Sequence, residues 1–174
     1  MRAALVAAPI AIGVALSGAA CASPGSYARG PTLTPALGAA EEREVAAVLD
    51  DFHDAAAAGD FDRYFSHFAE NAVFLGTNAT ERWTVAEFRE YARHYFGPGG
   101  GWTYRPPARH VSVTSDGRTA FFDELLDNDA LGETRGSGVL VREDGAWRVA
   151  QYNLSIPIPN EVADRVIELI RAPR

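Results

Sequence analysis

The segment from Asn71 to Phe96 constrains the fold of this chain more than any other part of it. In order, it contains a short apolar run, a polar turn, a helix start and an amphipathic helix. Thr84 and Glu87 have the spacing of a capping box, in which the Thr oxygen accepts a hydrogen bond from one free backbone amide and the Glu carboxylate accepts from another. The segment therefore predicts a strand that leads through a turn into a helix starting at Thr84 and reaching Phe96.

Helical periodicity precedes this segment and strand periodicity follows it. Apolar residues at helical spacing predict a first helix from near Glu41 to Gly59 and a short, aromatic-faced second helix capped by Asp60. Beyond the glycines at 97–101, alternating apolar and polar residues predict four strands. These are Arg109–Thr114, Thr119–Asp127, Glu133–Arg142 and Ala146–Ile156. Helices followed by an antiparallel meander predict an α+β domain.

The chain closes with a segment that is predicted to be an amphipathic helix. Asn160 is expected to cap it, after the break at Pro159. Its apolar residues recur at helical spacing, and we expect them to form a buried stripe on the domain. The stripe comprises Val162, Val166, Ile167 and Ile170.

The N-terminus has the composition of an export signal. Ala3–Ala20 is apolar but interrupted by Pro9 and Gly13, which makes it a poor membrane-spanning helix. Small residues precede Cys21, an arrangement that resembles a bacterial lipobox, in which the Cys thiol is lipidated and becomes the new first residue. Plain cleavage at an Ala-x-Ala site ending at Ala22 is the alternative.

We therefore expect a signal peptide over 1–20, a flexible linker rich in Pro, Gly and Ser over 21–40, and a folded domain over 41–174. The resemblance implies a membrane-anchored lipoprotein facing the periplasm or the cell surface; a secreted protein is the alternative. Firm anchoring would need more than one acyl chain.

Charge and residue types exclude several classes of function. The net charge is −7 and all sixteen basic residues are Arg, without a basic cluster, which argues against nucleic acid as a partner. Cys21 is the only cysteine, and the four histidines lack the spacing of metal ligands. We expect neither a metal nor a cofactor.

Three phrases of the sequence, taken in order, resemble a known superfamily. They are AAAAGDFDRYFSHFAENAVFLG, GTNATERWTVAEF and GAWRVAQYNLS, and the likeness covers about residues 41–156. Together with the order of elements, they are similar to the SnoaL-like branch of the nuclear transport factor 2-like superfamily. The resemblance implies a cone-shaped fold, in which helices pack in the concave side of a strongly bent antiparallel sheet and leave a pocket open at one end. It also implies isomerases, dehydratases, cyclases, hydrolases and binding domains as possible relatives.

Pairing of the predicted strands suggests which side chains reach that pocket. With the last turn at Asp144-Gly145, Gly138 faces Gln151 and Gly136 faces Asn153, so two glycines leave room beside two amides. Pairing Leu126 with Glu133 in the preceding hairpin then brings Asp123 to the same place. A slip of one residue would exchange Asp123 for Glu124.

The expected pocket is polar at this point and aromatic elsewhere. Asp123 is the candidate general base or acid, because a carboxylate in an apolar cavity can have a raised pKa; the alternative is a solvated strand residue. The candidate ligand-binding residues are Gln151, Asn153, Trp83, Glu81, Arg82, Tyr64 and His110. For Trp83 the competing interpretation is a hydrophobic staple against Phe88.

Two functions fit these expectations. The first is an anchored domain that binds a small, partly apolar ligand, or dimerises through the outer face of the sheet. That face is expected to carry Val139, Val141, Ala150, Tyr152 and Leu154. The second is a cofactor-independent lyase or isomerase with Asp123 as its base.

Overall fold

The computed structural model describes residues 35–172 of the chain. The predicted signal peptide, Cys21 and most of the predicted linker lie outside the described residues, so export and lipidation stay predictions. Within the described range the helices are α1 (Pro35–Ala58), α2 (Phe61–Ser66), α3 (Val85–Ala92) and α4 (Ala163–Arg171). The strands are β1 (Phe68–Leu75), β2 (Arg82–Thr84), β3 (Arg105–Val113), β4 (Thr119–Asn128), β5 (Gly132–Glu143) and β6 (Ala146–Ser155).

The six strands form one sheet in the order β2-β1-β6-β5-β4-β3. Neighbouring strands are antiparallel except β1 and β6, which run parallel. Helices α1, α2 and α3 lie on one face of the curved sheet, which we call the inner face. The core between them is strongly aromatic and includes Phe52, Phe65 and Phe88. The predicted cone-shaped α+β fold is confirmed.

Two elements start earlier than predicted, and proline is present at both starts. Helix α1 starts at Pro35, inside the predicted linker, because proline is tolerated in the first turn of a helix. Strand β3 starts at Arg105 rather than Arg109 and includes Pro106 and Pro107. Since β3 lies at the edge of the sheet, its prolines interrupt no interior ladder.

The capping box at the start of α3 is confirmed. The Thr84 amide donates to the Glu87 carboxylate at 2.9 Å, and the Glu87 amide donates to the Thr84 hydroxyl at 3.3 Å. Trp83 stacks on Phe88, with ring centroids 5.8 Å apart, so the hydrophobic staple is present as well. The helix ends at Ala92 rather than Phe96.

The glycine-rich segment after α3 ties the chain to the end of α1. The amide of Trp102 donates to the carbonyl of Ala56 at 3.0 Å. At Gly101, where φ is +113°, a Cβ would lie 2.2 Å from that carbonyl oxygen, so only glycine fits. This contact fixes the indole of Trp102 beside α1, where the site described below is formed.

A bulge in β6 makes the predicted register wrong beyond Val149. Leu140 pairs with Val149 as predicted, but Val139 pairs with Gln151, so Ala150 is an extra residue. The side chains of Trp147 and Val149 point to the inner face before the bulge, and those of Tyr152 and Leu154 do so after it. Tyr152 and Leu154 therefore do not belong to the outer face, where they were predicted.

The predicted pairing of β4 with β5 is also wrong by one residue. Leu126 pairs with Thr134, not with Glu133. This places Glu124 on the inner face opposite Gly136, and Asp123 on the outer face opposite Ser137. Glu124 and Asp123 exchange their predicted places because a one-residue shift in register moves each side chain to the opposite face of the sheet.

The predicted buried stripe of the last helix is wrong for the single chain. A 3-10 turn (Asn160–Val162) leads into α4, and Asn160 makes no side-chain cap. Ile167 and Ile170 are 41% and 67% exposed, because α4 packs mainly against the 3-10 turn and not against the sheet. No helix within residues 35–172 combines the length and apolar character needed to cross a bilayer. The predicted dimer through the outer face stays a prediction.

Candidate functional site

An aromatic cavity lies between the helices and the inner face of the sheet. It has a volume of about 170 Å³ and opens beside the loop that joins β1 to β2. Its walls come from α1, α2, α3, the segment after α3, strands β1, β2 and β6, the β1–β2 loop and the β4–β5 turn. The lining residues are Phe52, His53, Ala56, Tyr64, Phe74, Gly76, Thr77, Glu81, Trp83, Phe88, Tyr91, Trp102, Tyr104, Leu131, Tyr152 and Leu154.

A buried carboxylate, that of Glu124, lies behind the inner wall of this cavity. Its side chain has no exposed surface. Its Oε1 accepts hydrogen bonds from His53 Nε2 at 2.7 Å and from the Tyr152 hydroxyl at 3.0 Å, while its Oε2 accepts from Arg109 Nε at 2.7 Å. Both lining residues that touch Glu124 thus direct a hydrogen toward it, which fixes the orientation of the two rings.

Gly136 makes room for this cluster. A Cβ at this position would lie 2.3 Å from the Tyr152 hydroxyl and 2.8 Å from Glu124 Oε1. The prediction that the glycines of β5 leave a hollow beside Gln151 and Asn153 is therefore wrong. The space is filled by Glu124 and Tyr152, and not by Gln151 and Asn153.

The hydrogen bonds keep Glu124 ionised in spite of its burial. Burial alone would raise the pKa of this carboxyl group, but the hydrogen bond and charge of His53 and the charge and hydrogen bond of Arg109 outweigh it, and the pKa is lowered. Burial, and then the charge of Glu124, raise the pKa of Tyr152 well above its ordinary value. Tyr152 consequently remains a hydrogen-bond donor to Glu124 at neutral pH.

Arg109 connects the buried carboxylate to the surface of α1. Its Nη1 donates to Asp50 Oδ1 at 2.6 Å and to the carbonyl of Ala46 at 3.0 Å. The guanidinium is 10% exposed, whereas Asp50 is 68% exposed. One turn of α1 thus supplies both His53 and Asp50, so that the helix and the sheet are joined by the same charged group.

Two other tyrosines of the cavity have free hydroxyl groups. Tyr64 and Tyr104 line the cavity, and neither hydroxyl is hydrogen-bonded to any residue of the range 35–172. Burial raises the pKa of Tyr64 well above its ordinary value and also raises the pKa of Tyr104. Both groups are therefore neutral at physiological pH and can donate or accept a hydrogen bond from a ligand.

The structure brings some of the predicted site residues together and separates others. Trp83, Glu81 and Tyr64 line the cavity. Asn153 lines a second, more open depression beside the β1–β2 loop. The other four predicted residues line neither of these two hollows: Asp123, Gln151, Arg82 and His110.

The placement of Asp123 and His110 has a simple cause in strand alternation. On β3 the inner face carries Arg109, Val111 and Val113, so His110 points outward to Asp123, with Nδ1 and Oδ1 3.5 Å apart. The prediction that His110 lines the pocket is wrong, and Arg109 faces inward in its place. Asp123 is 54% exposed and is not a pocket carboxylate.

None of the four residues of the buried cluster was predicted as a site residue, and Glu124 was considered only as the acid that a one-residue slip would exchange for Asp123. The sequence nevertheless carries a signal for two of the four. His53 follows Leu49 by four residues and so lies on the buried stripe of α1. Arg109 shares its strand phase with Val111 and Val113. Glu124 and Tyr152 had no such signal, because a bulge and a shifted register decide which way they point.

Replacing Glu124 with Gln tests the electrostatic role of the carboxylate. At pH 7 we expect the free energy of unfolding to fall by about 3–5 kcal/mol, because Arg109 loses its buried counter-charge. Since the pKa of Glu124 is lowered in the folded state, its stabilisation is complete above the ordinary value of 4.5 and is lost as the pH falls through the lower, folded-state value. Urea denaturation between pH 7 and pH 3 should therefore show the two proteins converging in acid.

Asp123→Asn is the matched control, since this acid is the next residue on the same strand and faces outward. Its free energy of unfolding should stay within about 0.5 kcal/mol of the wild-type value at pH 7. A larger loss for Asp123→Asn than for Glu124→Gln would contradict the observed register.

Comparison with known proteins agrees with this architecture. Solved structures with the same fold include a protein of unknown function from Pseudomonas putida KT2440, described as nuclear transport factor 2-like (TM-score 0.59, 16% identity, covering 71% of this chain and 92% of that one). Another, from Streptomyces avermitilis, is assigned to the same family and provisionally named a dehydratase (TM-score 0.59, 15% identity, 70% and 99% coverage). A third, from Nostoc punctiforme PCC 73102, is a domain of unknown function with a cystatin-like fold (TM-score 0.58, 16% identity, 77% and 88% coverage).

At these identities the likeness shows the fold alone. Curated protein sequences give no match. The family model described as SnoaL-like domain matches residues 45–159, which span α1 to the end of the sheet. The chain belongs to the SnoaL-like domain family.

Proposed function

We propose that this domain binds a small, largely apolar molecule in the aromatic cavity. The observation that carries the proposal is the combination of an open cavity, aromatic walls and two unpaired hydroxyl groups, Tyr64 and Tyr104. A cavity of about 170 Å³ is close in size to engineered apolar cavities of about 150 Å³ that bind benzene. The ligand is therefore of about the size of one six-membered ring, with one or two polar atoms that reach the tyrosine hydroxyls.

Rigid walls favour such a role. Phe74 stacks on Phe88 with ring centroids 3.9 Å apart, and Tyr152 is held by both Phe74 and Glu124. A cavity that is already formed spares the ligand the cost of ordering the side chains around it. A preformed cavity of this kind is sufficient for binding and requires no reactive group.

p-Cresol, a neutral ring with one hydroxyl group, is a suitable probe of the cavity. We expect saturable binding by calorimetry, with quenching or shift of Trp fluorescence because Trp83 and Trp102 line the cavity. Ala56→Leu should reduce the affinity at least about tenfold, since the larger side chain occupies the volume of the ligand. Ala57→Leu is the matched control, because Ala57 is the next residue of α1 and is exposed.

Thr77→Trp supplies a second test that leaves the core untouched. Thr77 is exposed at the mouth of the cavity, so an indole there should hinder entry and weaken p-cresol binding without changing stability. Equal affinity of wild type, Ala56→Leu and Thr77→Trp for p-cresol would contradict the proposal, as would the absence of saturable binding to the wild type.

A second candidate function is acid–base catalysis as a cofactor-independent lyase or isomerase, with His53 rather than Asp123 as the group that exchanges a proton with the substrate. The specific observation in its favour is the pair of His53 and the fully buried Glu124. With Nε2–H donated to the carboxylate, a neutral imidazole presents Nδ1 as its acceptor, and the carboxylate stabilises the imidazolium formed on protonation. A histidine positioned by a buried acid is a common arrangement at catalytic sites.

This candidate predicts a separation of turnover from binding. For any lyase or isomerase substrate that the wild type converts, His53→Gln should lower kcat by about 10²- to 10⁴-fold. The same variant should bind p-cresol within a few-fold of wild type, because His53 is one of many walls of the cavity. Unchanged kcat in His53→Gln, measured beside His94→Gln as an exposed control, would rule out the catalytic role.

A further inference from the structure

Within the described part of the chain, the lining of the cavity carries one acidic side chain, that of Glu81, and no arginine. The guanidinium of Arg109 lies behind Glu124 and is already paired with Glu124 and Asp50. The inner wall therefore offers no uncompensated positive charge from arginine to an anionic ligand.

Glu81 is held at the mouth of the cavity by the loop between β1 and β2. The Gly76 amide donates to the Glu81 carbonyl at 2.9 Å, and Glu81 Oε2 accepts from the Asn78 amide at 3.1 Å. Gly76 leaves room for this carboxylate, because a Cβ at that position would lie 2.2 Å from Glu81 Oε2. The other oxygen, Oε1, accepts no hydrogen bond from any residue in the described part of the chain.

Aromatic rings surround the same opening. Trp83 stacks on Tyr91 with centroids 4.9 Å apart, and Trp102 and Tyr104 complete the lining on the other side. The face of an aromatic ring carries partial negative charge and attracts cations, and Trp attracts them more strongly than Tyr or Phe. The attraction grows when the cation is shielded from water. Proteins bind quaternary ammonium ligands in aromatic cages, and a fixed carboxylate beside the rings adds a Coulombic attraction for the cation.

We infer that the cavity selects organic cations, namely ammonium ions with small apolar substituents, over neutral and anionic molecules of the same shape. The inference rests on the proposed binding function and adds the charge of the ligand to it. The apolar substituents contact the rings, and the positive charge lies toward Glu81. His53 also lines the cavity, but its Nε2 is paired with the carboxylate of Glu124 at 2.7 Å, so that a positive charge on its ring is compensated there.

Choline and its uncharged carbon isostere, 3,3-dimethylbutan-1-ol, separate charge from shape. Titration calorimetry should give an affinity for choline at least about tenfold higher than for the isostere. Glu81→Gln should reduce the choline affinity at least about fivefold and leave that of the isostere unchanged, because Gln keeps an oxygen for the Asn78 amide but loses the charge. Glu143→Gln, which changes an exposed acid at the end of β5, controls for the change in net charge.

The remaining outcomes distinguish failure of the charge selectivity from failure of the proposed binding function. Equal affinities for the two probes, or an equal loss of choline affinity in Glu81→Gln and Glu143→Gln, would overturn the inference. If p-cresol binds but choline does not, the inference fails while the proposed binding function stands. If none of the three probes binds, the proposed binding function fails as well.

Discussion

The ionised carboxylate of Glu124 is the interaction on which the rest of the structure depends. An isolated charge in a protein interior is very costly, so Glu124 is tolerated only because three partners reach it from three directions. His53 comes from α1, Arg109 from β3 and Tyr152 from β6. Removal of any one partner leaves a buried charge less well compensated, which makes this polar cluster a strong constraint on how α1 sits on the sheet.

The same cluster shapes the cavity. His53 and Tyr152 both donate a hydrogen bond to Glu124, which fixes their rings in the inner wall of the cavity. The remaining walls are aromatic rings that pack on one another, and the opening lies beside the loop held by Glu81. The cavity thus has one carboxylate behind its inner wall, that of Glu124, and one at its mouth, that of Glu81. The first is the basis for proposing proton transfer through His53, and the second is the basis for proposing that the cavity binds cations.

Much of the fold follows from local sequence signals. The capping box at Thr84 and Glu87, the turns at Asp144-Gly145 and the change from helical to strand periodicity are each encoded within a few residues, and the structure contains all of them. The aromatic character of the cavity and the presence of Tyr64, Trp83 and Glu81 in its lining also agree with the sequence pattern. These features depend on spacing alone.

The chemistry of the site does not depend on spacing alone. In β4, apolar residues occupy both phases of the strand, with Phe121 and Leu125 on one and Phe122 and Leu126 on the other, so alternation cannot decide between Asp123 and Glu124. In β6, the bulge at Ala150 reverses the phase after Val149, and no Gly or Pro marks it. The exposed apolar residues of α4 show the same limit, since periodicity identifies a stripe but not the surface that covers it.

A double-mutant cycle between His53 and Glu124 is the most direct measurement of the central claim. Free energies of unfolding would be compared for wild type, His53→Gln, Glu124→Gln and the double variant, with His110→Gln and Asp123→Asn as the parallel cycle on the outer face. The account predicts a coupling of about 1–3 kcal/mol for the first pair and a value near zero for the second. A coupling below about 0.5 kcal/mol between His53 and Glu124, or a larger one between His110 and Asp123, would contradict it.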